Sequence, residues 1–175
     1  METPQPSVKK IALNYGVLWG LGTIAIGVIT YVTNTYMDRP WWSSVLGFAI
    51  MILAIVFGLK AFIKDNGGYM SLGESLKTGM AITLVAMIIG AIWTYLFITV
   101  IEVDFIDKIV ENAQTQMIER QPDMSQEQMD AAMEVTRNFT QPWIIVTFSV
   151  IGTLFLGFIT SLIAGLIMKR TNPMA

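Results

Sequence analysis

Four long apolar segments, almost free of charge, constrain this chain more than any other feature of its sequence. They cover about residues 11–31, 42–62, 78–100 and 143–168, and Lys60 is the one Asp, Glu, Lys or Arg within them. A helix of about 20 apolar residues crosses a hydrocarbon layer about 30 Å thick. The pattern predicts an all-α fold, a four-helix transmembrane bundle in a single membrane domain over residues 1–175, with the lipid bilayer as its solvent.

The composition agrees with this interpretation and excludes much chemistry. Hydrophobic residues make up 54% of the chain and charged residues 14%, against about 25% charged residues in soluble domains. Cysteine and histidine are both absent. The chain therefore lacks a thiol nucleophile, and it lacks the commonest general base and the commonest metal ligand. The sequence therefore predicts no catalytic residue, no cofactor, no metal site and no enzyme. The methionines around residues 117–133 fit helix packing better than Cu(I) binding.

The charges between the spans predict the orientation. One side would carry three acidic residues and seven basic ones, which are Lys9, Lys10, Lys60, Lys64, Lys77, Lys169 and Arg170. The other side would carry ten acidic and four basic residues, Arg39 among them. Cytoplasmic loops collect Lys and Arg, so we expect both termini in the cytoplasm and the long third loop outside. That loop is acidic and would repel phosphate, so no nucleic acid is expected as a partner.

The third loop, about residues 102–141, predicts an extramembrane helical hairpin. Phe105, Ile109 and Ala113 recur every four residues on one helix face, and Pro122 ends that helix. A second apolar stripe begins at Met129. The simplest geometry continues helix 3 out of the membrane into the hairpin, which turns near residues 121–123 and returns into helix 4.

Two sequence patterns predict helix caps. Ser71 precedes Glu74 by three residues, and Ser125 precedes Gln128 by the same spacing. In such a capping box the serine and the third residue each satisfy a free backbone N–H of the first helical turn. We therefore expect helices to begin after Ser71 and after Ser125.

Small residues at four-residue spacing predict the surfaces on which the helices pack. Such residues let membrane helices approach closely where lipid supplies no hydrophobic drive. Packing within one bundle is the interpretation, and a homo-oligomer interface is the alternative. The predicted helix-packing residues are Gly16, Gly20, Ala54, Gly58, Ala86, Gly90, Gly157, Ser161 and Gly165.

Several of these segments together resemble a known family. They include Asn14-Tyr15-Gly16 before Gly20, the stretch Gly67-Gly68 to Ser71-Leu72-Gly73-Glu74-Ser75-Leu76-Lys77-Thr78-Gly79, and the final Lys169-Arg170. The chain resembles the uncharacterised bacterial membrane family called domain of unknown function 4199, over nearly its whole length. The resemblance implies four spans in a bacterial inner (cytoplasmic) membrane. It implies no activity and no functional residues.

The sequence thus predicts a non-enzymatic scaffold or interaction protein. Its outer hairpin would contact another membrane or periplasmic protein. The alternative is a subunit of a small-solute transporter or channel, whose polar lining would come from Asn14, Thr83, Thr94 or Ser149. Lys60, Lys64 and Lys77 either set the topology or bind anionic lipid headgroups.

Overall fold

The computed structural model describes residues 6–38 and 40–170, and helices make up most of them. Glu2 and Arg39, which enter the predicted charge balance, lie outside the described residues. No β-strand forms in the described part of the chain, where a single bridge pairs Met70 with Arg170. The helices are α1 (Val8–Val32), α2 (Trp41–Asp65), α3 (Leu72–Leu96), a π-helix (Phe97–Ile101), α4 (Phe105–Arg120), α5 (Gln126–Phe139) and α6 (Pro142–Met168).

Four helical segments are long and apolar enough to cross a membrane, which confirms the predicted fold class. They are Val8–Val32, Trp41–Asp65, Leu72–Ile101 and Pro142–Met168. Each is longer than its predicted span, because backbone hydrogen bonding continues past the apolar residues into charged or polar turns. The third shows this most clearly, since its first turn contains Glu74.

The ends of these helices follow from local sequence signals. Ser7 caps α1, and its hydroxyl accepts a hydrogen bond from the Lys10 N–H at 3.3 Å. After α2, Gly67 and Gly68 adopt φ values of +67° and +95°. This left-handed conformation costs a glycine little but strains other residues. The glycine pair therefore stops α2 and lets the chain turn towards α3.

The chain divides into two compact units, and the first contains residues up to Gly90 together with those from Val150 onwards. Within it α1 packs against α2 and α3. A Cβ placed on Gly58 would lie 3.5 Å from Ile11, and one on Gly16 would lie 2.6 Å from the Cβ of Val85. The fully buried apolar side chains of this unit are Ile55, Leu59, Met70 and Ile82.

The second unit spans residues 91–149, and it contains the predicted hairpin as α4 and α5. The predicted continuation of helices 3 and 4 into a helical hairpin is present, with a break in α-helical geometry at each junction. α3 gives way to the π-helix, and Glu102 then leaves helical geometry with φ −125° and ψ 74°. At the other arm, Pro142 is the first residue of α6. A proline disfavours helical geometry at the residue before it, so α5 and α6 remain separate helices.

Candidate functional site

The hairpin of α4 and α5 holds together through one narrow apolar face on each helix. The predicted face of α4, from Phe105 to Met117, consists of half-buried residues. On α5 the face begins at Met129, which is 6% exposed and is the one buried residue of the two helices. A single buried side chain gives a thin core, so the hairpin is open to local unfolding.

Polar contacts fix the geometry of the hairpin at its base and at the start of α5. The Ser125 hydroxyl accepts from the Gln128 N–H at 3.3 Å, and the Gln128 side chain accepts from the Ser125 N–H at 3.2 Å. Both bonds of a capping box are thus present. Arg137 on α5 bonds to Asp107 on α4 at 3.0 Å. This ion pair aligns the two helices at the end where they leave the spans.

The opposite side of α5 carries apolar side chains that remain largely exposed. Val135 is 55% exposed and Phe139 is 63% exposed, and they are four residues apart, so they lie side by side on the helix. Ala131, one turn earlier, is also exposed. We call Ala131, Val135 and Phe139 the outer face of α5.

The first unit has a different kind of surface, a seam of small and hydroxyl residues between α3 and α6. A Cβ on Gly79 would lie 2.6 Å from the Cβ of Ser161, and one on Gly157 would lie 2.9 Å from the Cβ of Thr83. A Cβ on Gly165 would lie 2.7 Å from the Cβ of Ser75. Real Cβ atoms do not approach so closely, so each of these glycines is required by its neighbour. The six residues form the α3–α6 seam.

The hydroxyl groups in this seam are hydrogen-bonded within the protein. Ser75 donates across the interface to the carbonyl of Ser161 at 3.1 Å. Ser161 donates to the carbonyl of Gly157 at 2.6 Å, and Thr83 donates to the carbonyl of Gly79 at 2.9 Å. All three side chains are fully buried. Their hydrogen bonds remove the cost of placing polar groups in an apolar interior.

The other predicted packing residues fall into two groups. Gly16 and Gly20 contact α3, where a Cβ on Gly20 would lie 2.7 Å from Ile89. Ala54, Gly58 and Ala86 are buried.

Gly90 differs from the other predicted packing residues. A Cβ placed there would meet nothing within 4 Å. No neighbour among the described residues requires a small side chain at this position.

Sequence reasoning missed the α3 side of the seam, which consists of Ser75, Gly79 and Thr83. These residues recur every four positions, as Gly157, Ser161 and Gly165 do on α6. Matching these two series in antiparallel order would have paired the helices. The signal was overlooked because the α3 series contains a single glycine.

The predicted cap at Ser71, at the start of α3, is also formed by close polar contacts. The Glu74 carboxylate accepts from the Ser71 N–H at 2.7 Å and from its hydroxyl at 2.9 Å. The Glu74 N–H in turn donates to the Ser71 hydroxyl at 3.2 Å. The capping contacts explain why a carboxylate lies near the start of a span, and no chemical role is needed to account for Glu74.

The residues named for a transport pathway have ordinary structural surroundings. Asn14 is exposed on α1, and Thr83 belongs to the α3–α6 seam. Ser149 donates to the carbonyl of Val146 at 2.8 Å, and Thr94 is half-buried. The hydroxyls of Thr83 and Ser149 are satisfied within their own helices. Among the described residues, no group of three or more acidic side chains is placed to hold a metal ion.

Four apolar helices of this length fit a multi-span helical membrane protein. The model of the family described as "Protein of unknown function (DUF4199)" matches residues 14–170. The chain therefore belongs to this family, and the resemblance noted in its sequence is confirmed. Comparison with curated proteins and with solved structures finds no match.

Proposed function

We propose that this chain is a non-enzymatic scaffold or interaction protein of the bacterial inner membrane. Its two termini lie in the cytoplasm, and the hairpin of α4 and α5 projects outside and contacts another membrane or periplasmic protein. The orientation is supported by the excess of Lys and Arg on one side of the predicted spans. The scaffold role rests on the hairpin, whose surface is unlike that of a solvated helix pair.

The outer face of α5 is the observation that carries this proposal. In water, adjacent exposed Val135 and Phe139 side chains leave apolar area unburied at a cost of about 25 cal/mol per Å². Apolar patches of this kind, surrounded by polar residues, mark interaction surfaces on proteins. Aromatic residues also dominate the energetic centres of protein interfaces. Phe139 is the side chain best suited to enter a pocket on a partner.

The charge around this face defines the chemistry of the partner. Residues 102–141 contain nine acidic and three basic residues. Complementary potentials accelerate association and select the correct partner. We therefore expect a partner protein with an apolar pocket and a basic rim.

The test is recovery of cross-linked partners with the full-length protein in its own membrane. The variant combines Val135→Ser with Phe139→Ser, and the control is Ile118→Ser, since Ile118 on α4 has a similar exposure of 52%. Loss of an interface aromatic weakens binding by about tenfold or more. We expect one partner, identified by mass spectrometry, to be lost with the double variant and kept with the control.

A deletion gives the complementary test. Removing residues 111–137 takes away most of both hairpin helices and leaves the four spans intact. We expect this chain to insert and to recover no hairpin partner. Unchanged partner recovery after the deletion contradicts the scaffold proposal and favours the alternative, a subunit of a small-solute transporter or channel.

A further inference from the structure

A basic cavity lies at the end of the first unit where α2 and α6 finish. It has a volume of about 270 Å³ and is lined by Lys60, Ile63, Ile167, Met168, Lys169 and Arg170. Three of these six residues are cations and the other three are apolar. No carboxylate lines the cavity, and none of the three cations forms an ion pair within residues 6–38 and 40–170.

The backbone that carries two of these cations is held in place by the fold, while all three side chains are exposed. The Met70 and Arg170 backbones exchange two hydrogen bonds, of 3.1 Å and 2.9 Å, and Met70 is fully buried. The Lys169 N–H donates to the Gly165 carbonyl at 2.8 Å. The Lys60 ammonium lies 5.4 Å from the centre of the Phe57 ring, within range of a cation–π interaction. The chain after α6 is thus anchored against the loop before α3, with its basic residues beside Lys60.

The nearest acidic residues in sequence do not neutralise this cluster. The Glu74 carboxylate accepts two hydrogen bonds from Ser71, and Asp65 does not line the cavity. The C-terminal carbonyls of α6 contribute about half a negative charge, which three full positive charges outweigh. The cavity therefore carries a net positive charge, and its size is just below the 300–1,000 Å³ of typical ligand pockets.

We propose that this cavity binds the phosphate of an anionic phospholipid headgroup. Lys60 belongs to a helix apolar enough to span the membrane, and Ile167 is 79% exposed on another such helix. The cations thus border a surface suited to acyl chains, and lysine near the end of a span extends its ammonium towards headgroup depth. Basic pockets between spanning helices recognise lipid headgroups by this combination.

The test titrates the full-length protein in detergent with phosphatidylglycerol or phosphatidylcholine and counts bound lipid by native mass spectrometry. We expect phosphatidylglycerol to bind tighter by about tenfold or more, because each basic residue at the headgroup adds attraction for the anion. Equal binding of the two lipids overturns the proposal. This arm uses the unaltered chain, so it decides the question even where a variant fails to fold.

Matched variants separate the cavity from general attraction. Lys60→Gln with Arg170→Gln removes two cavity charges and should weaken phosphatidylglycerol binding by about 30-fold. Lys9→Gln with Lys10→Gln removes two exposed charges that do not line the cavity. We expect this control to change binding by less than about threefold, since solvent screens such charges. Equal loss in both pairs overturns the proposal.

Two further arms identify the source of the anion and the role of charge. Inorganic phosphate at millimolar concentration should leave bound phosphatidylglycerol in place, because it lacks the acyl chains. Displacement by phosphate alone would assign the cavity to a free phosphate and overturn the lipid proposal. Lys60→Arg with Arg170→Lys keeps both charges and should retain binding. Loss in this charge-conserving pair would show that charge is not the cause.

Discussion

The α3–α6 seam and the α4–α5 hairpin are two helix pairs of one chain, and they are stabilised in different ways. The seam consists of small and hydroxyl residues that are buried and uncharged, with backbones in close approach. The hairpin has one buried side chain, Met129, and polar contacts elsewhere on its surface. In lipid, close packing and internal hydrogen bonds must hold helices together. In water, burial of a few apolar residues can hold two helices together, although such a pair is less stable.

Under the proposed function, this difference separates the structural part of the molecule from the part that contacts a partner. Every glycine in the seam faces a side chain on the other helix, so there is no room for a larger residue at these positions. On the outer face of α5, Val135 and Phe139 are more than half exposed. We therefore expect substitutions in the seam to affect stability and substitutions on the outer face to affect binding.

The largest expected effect comes from filling the seam. Gly79→Val places a branched side chain against Ser161, and overpacking of this kind costs about 1–3 kcal/mol, here near the upper end. Its measurement is unfolding of the purified protein by titration with a denaturing detergent. Gly90→Val is the matched control, since open space surrounds that position, and we expect a change within about 0.5 kcal/mol. Equal destabilisation by both variants would contradict the seam.

The second effect is smaller and confined to the hairpin. Met129→Ala removes its one buried side chain and should cost about 2 kcal/mol, the lower end for a buried methionine because the site is near the surface. Hydrogen exchange of α4 and α5 should accelerate, while the α3–α6 seam keeps its protection. Ile118→Ala, at an exposed position of α4, should leave both regions unchanged. Faster exchange in the seam as well would refute the independence of the two regions.

The smallest effect concerns the ion pair of the hairpin. Asp107→Asn removes the negative charge of the ion pair with Arg137. The Asp107 side chain is 65% exposed and the Arg137 side chain is 59% exposed. Exposed ion pairs contribute about 0.2–1 kcal/mol and are screened by salt. We expect about 0.3 kcal/mol in low salt and no measurable change near 1 M salt. A larger or salt-independent loss, measured by hydrogen exchange of α5, would show that this contact stabilises the hairpin more than its exposure implies.

Spans, hairpin and caps could be predicted because each depends on local sequence. A run of about twenty apolar residues predicts a membrane-crossing helix. Ser125 and Gln128 form a helix cap from local sequence alone, whatever surface α5 packs against. The break before α6 was also local, since Pro142 marks it.

Which small residues along a helix meet a close neighbour could not be predicted in the same way. Gly79 and Gly90 are eleven residues apart, so they lie on nearly the same face of α3. One contacts Ser161 and the other borders open space. Packed helices cross at an angle and touch over a limited length, so position along the crossing decides which small residue is needed. The basic cavity could not be predicted either, because a β-bridge between residues distant in sequence places Arg170 there.

The most direct test of the account is the accessibility of single cysteines, since the natural chain contains none. Pro122→Cys places a thiol between α4 and α5, and Asp65→Cys places one at the end of α2. Spheroplasts are treated with a maleimide that does not cross membranes. We predict that the thiol at position 122 is labelled before lysis and the thiol at position 65 only after lysis. Labelling of position 65 before lysis, with position 122 protected, would contradict the proposed topology and place the hairpin in the cytoplasm.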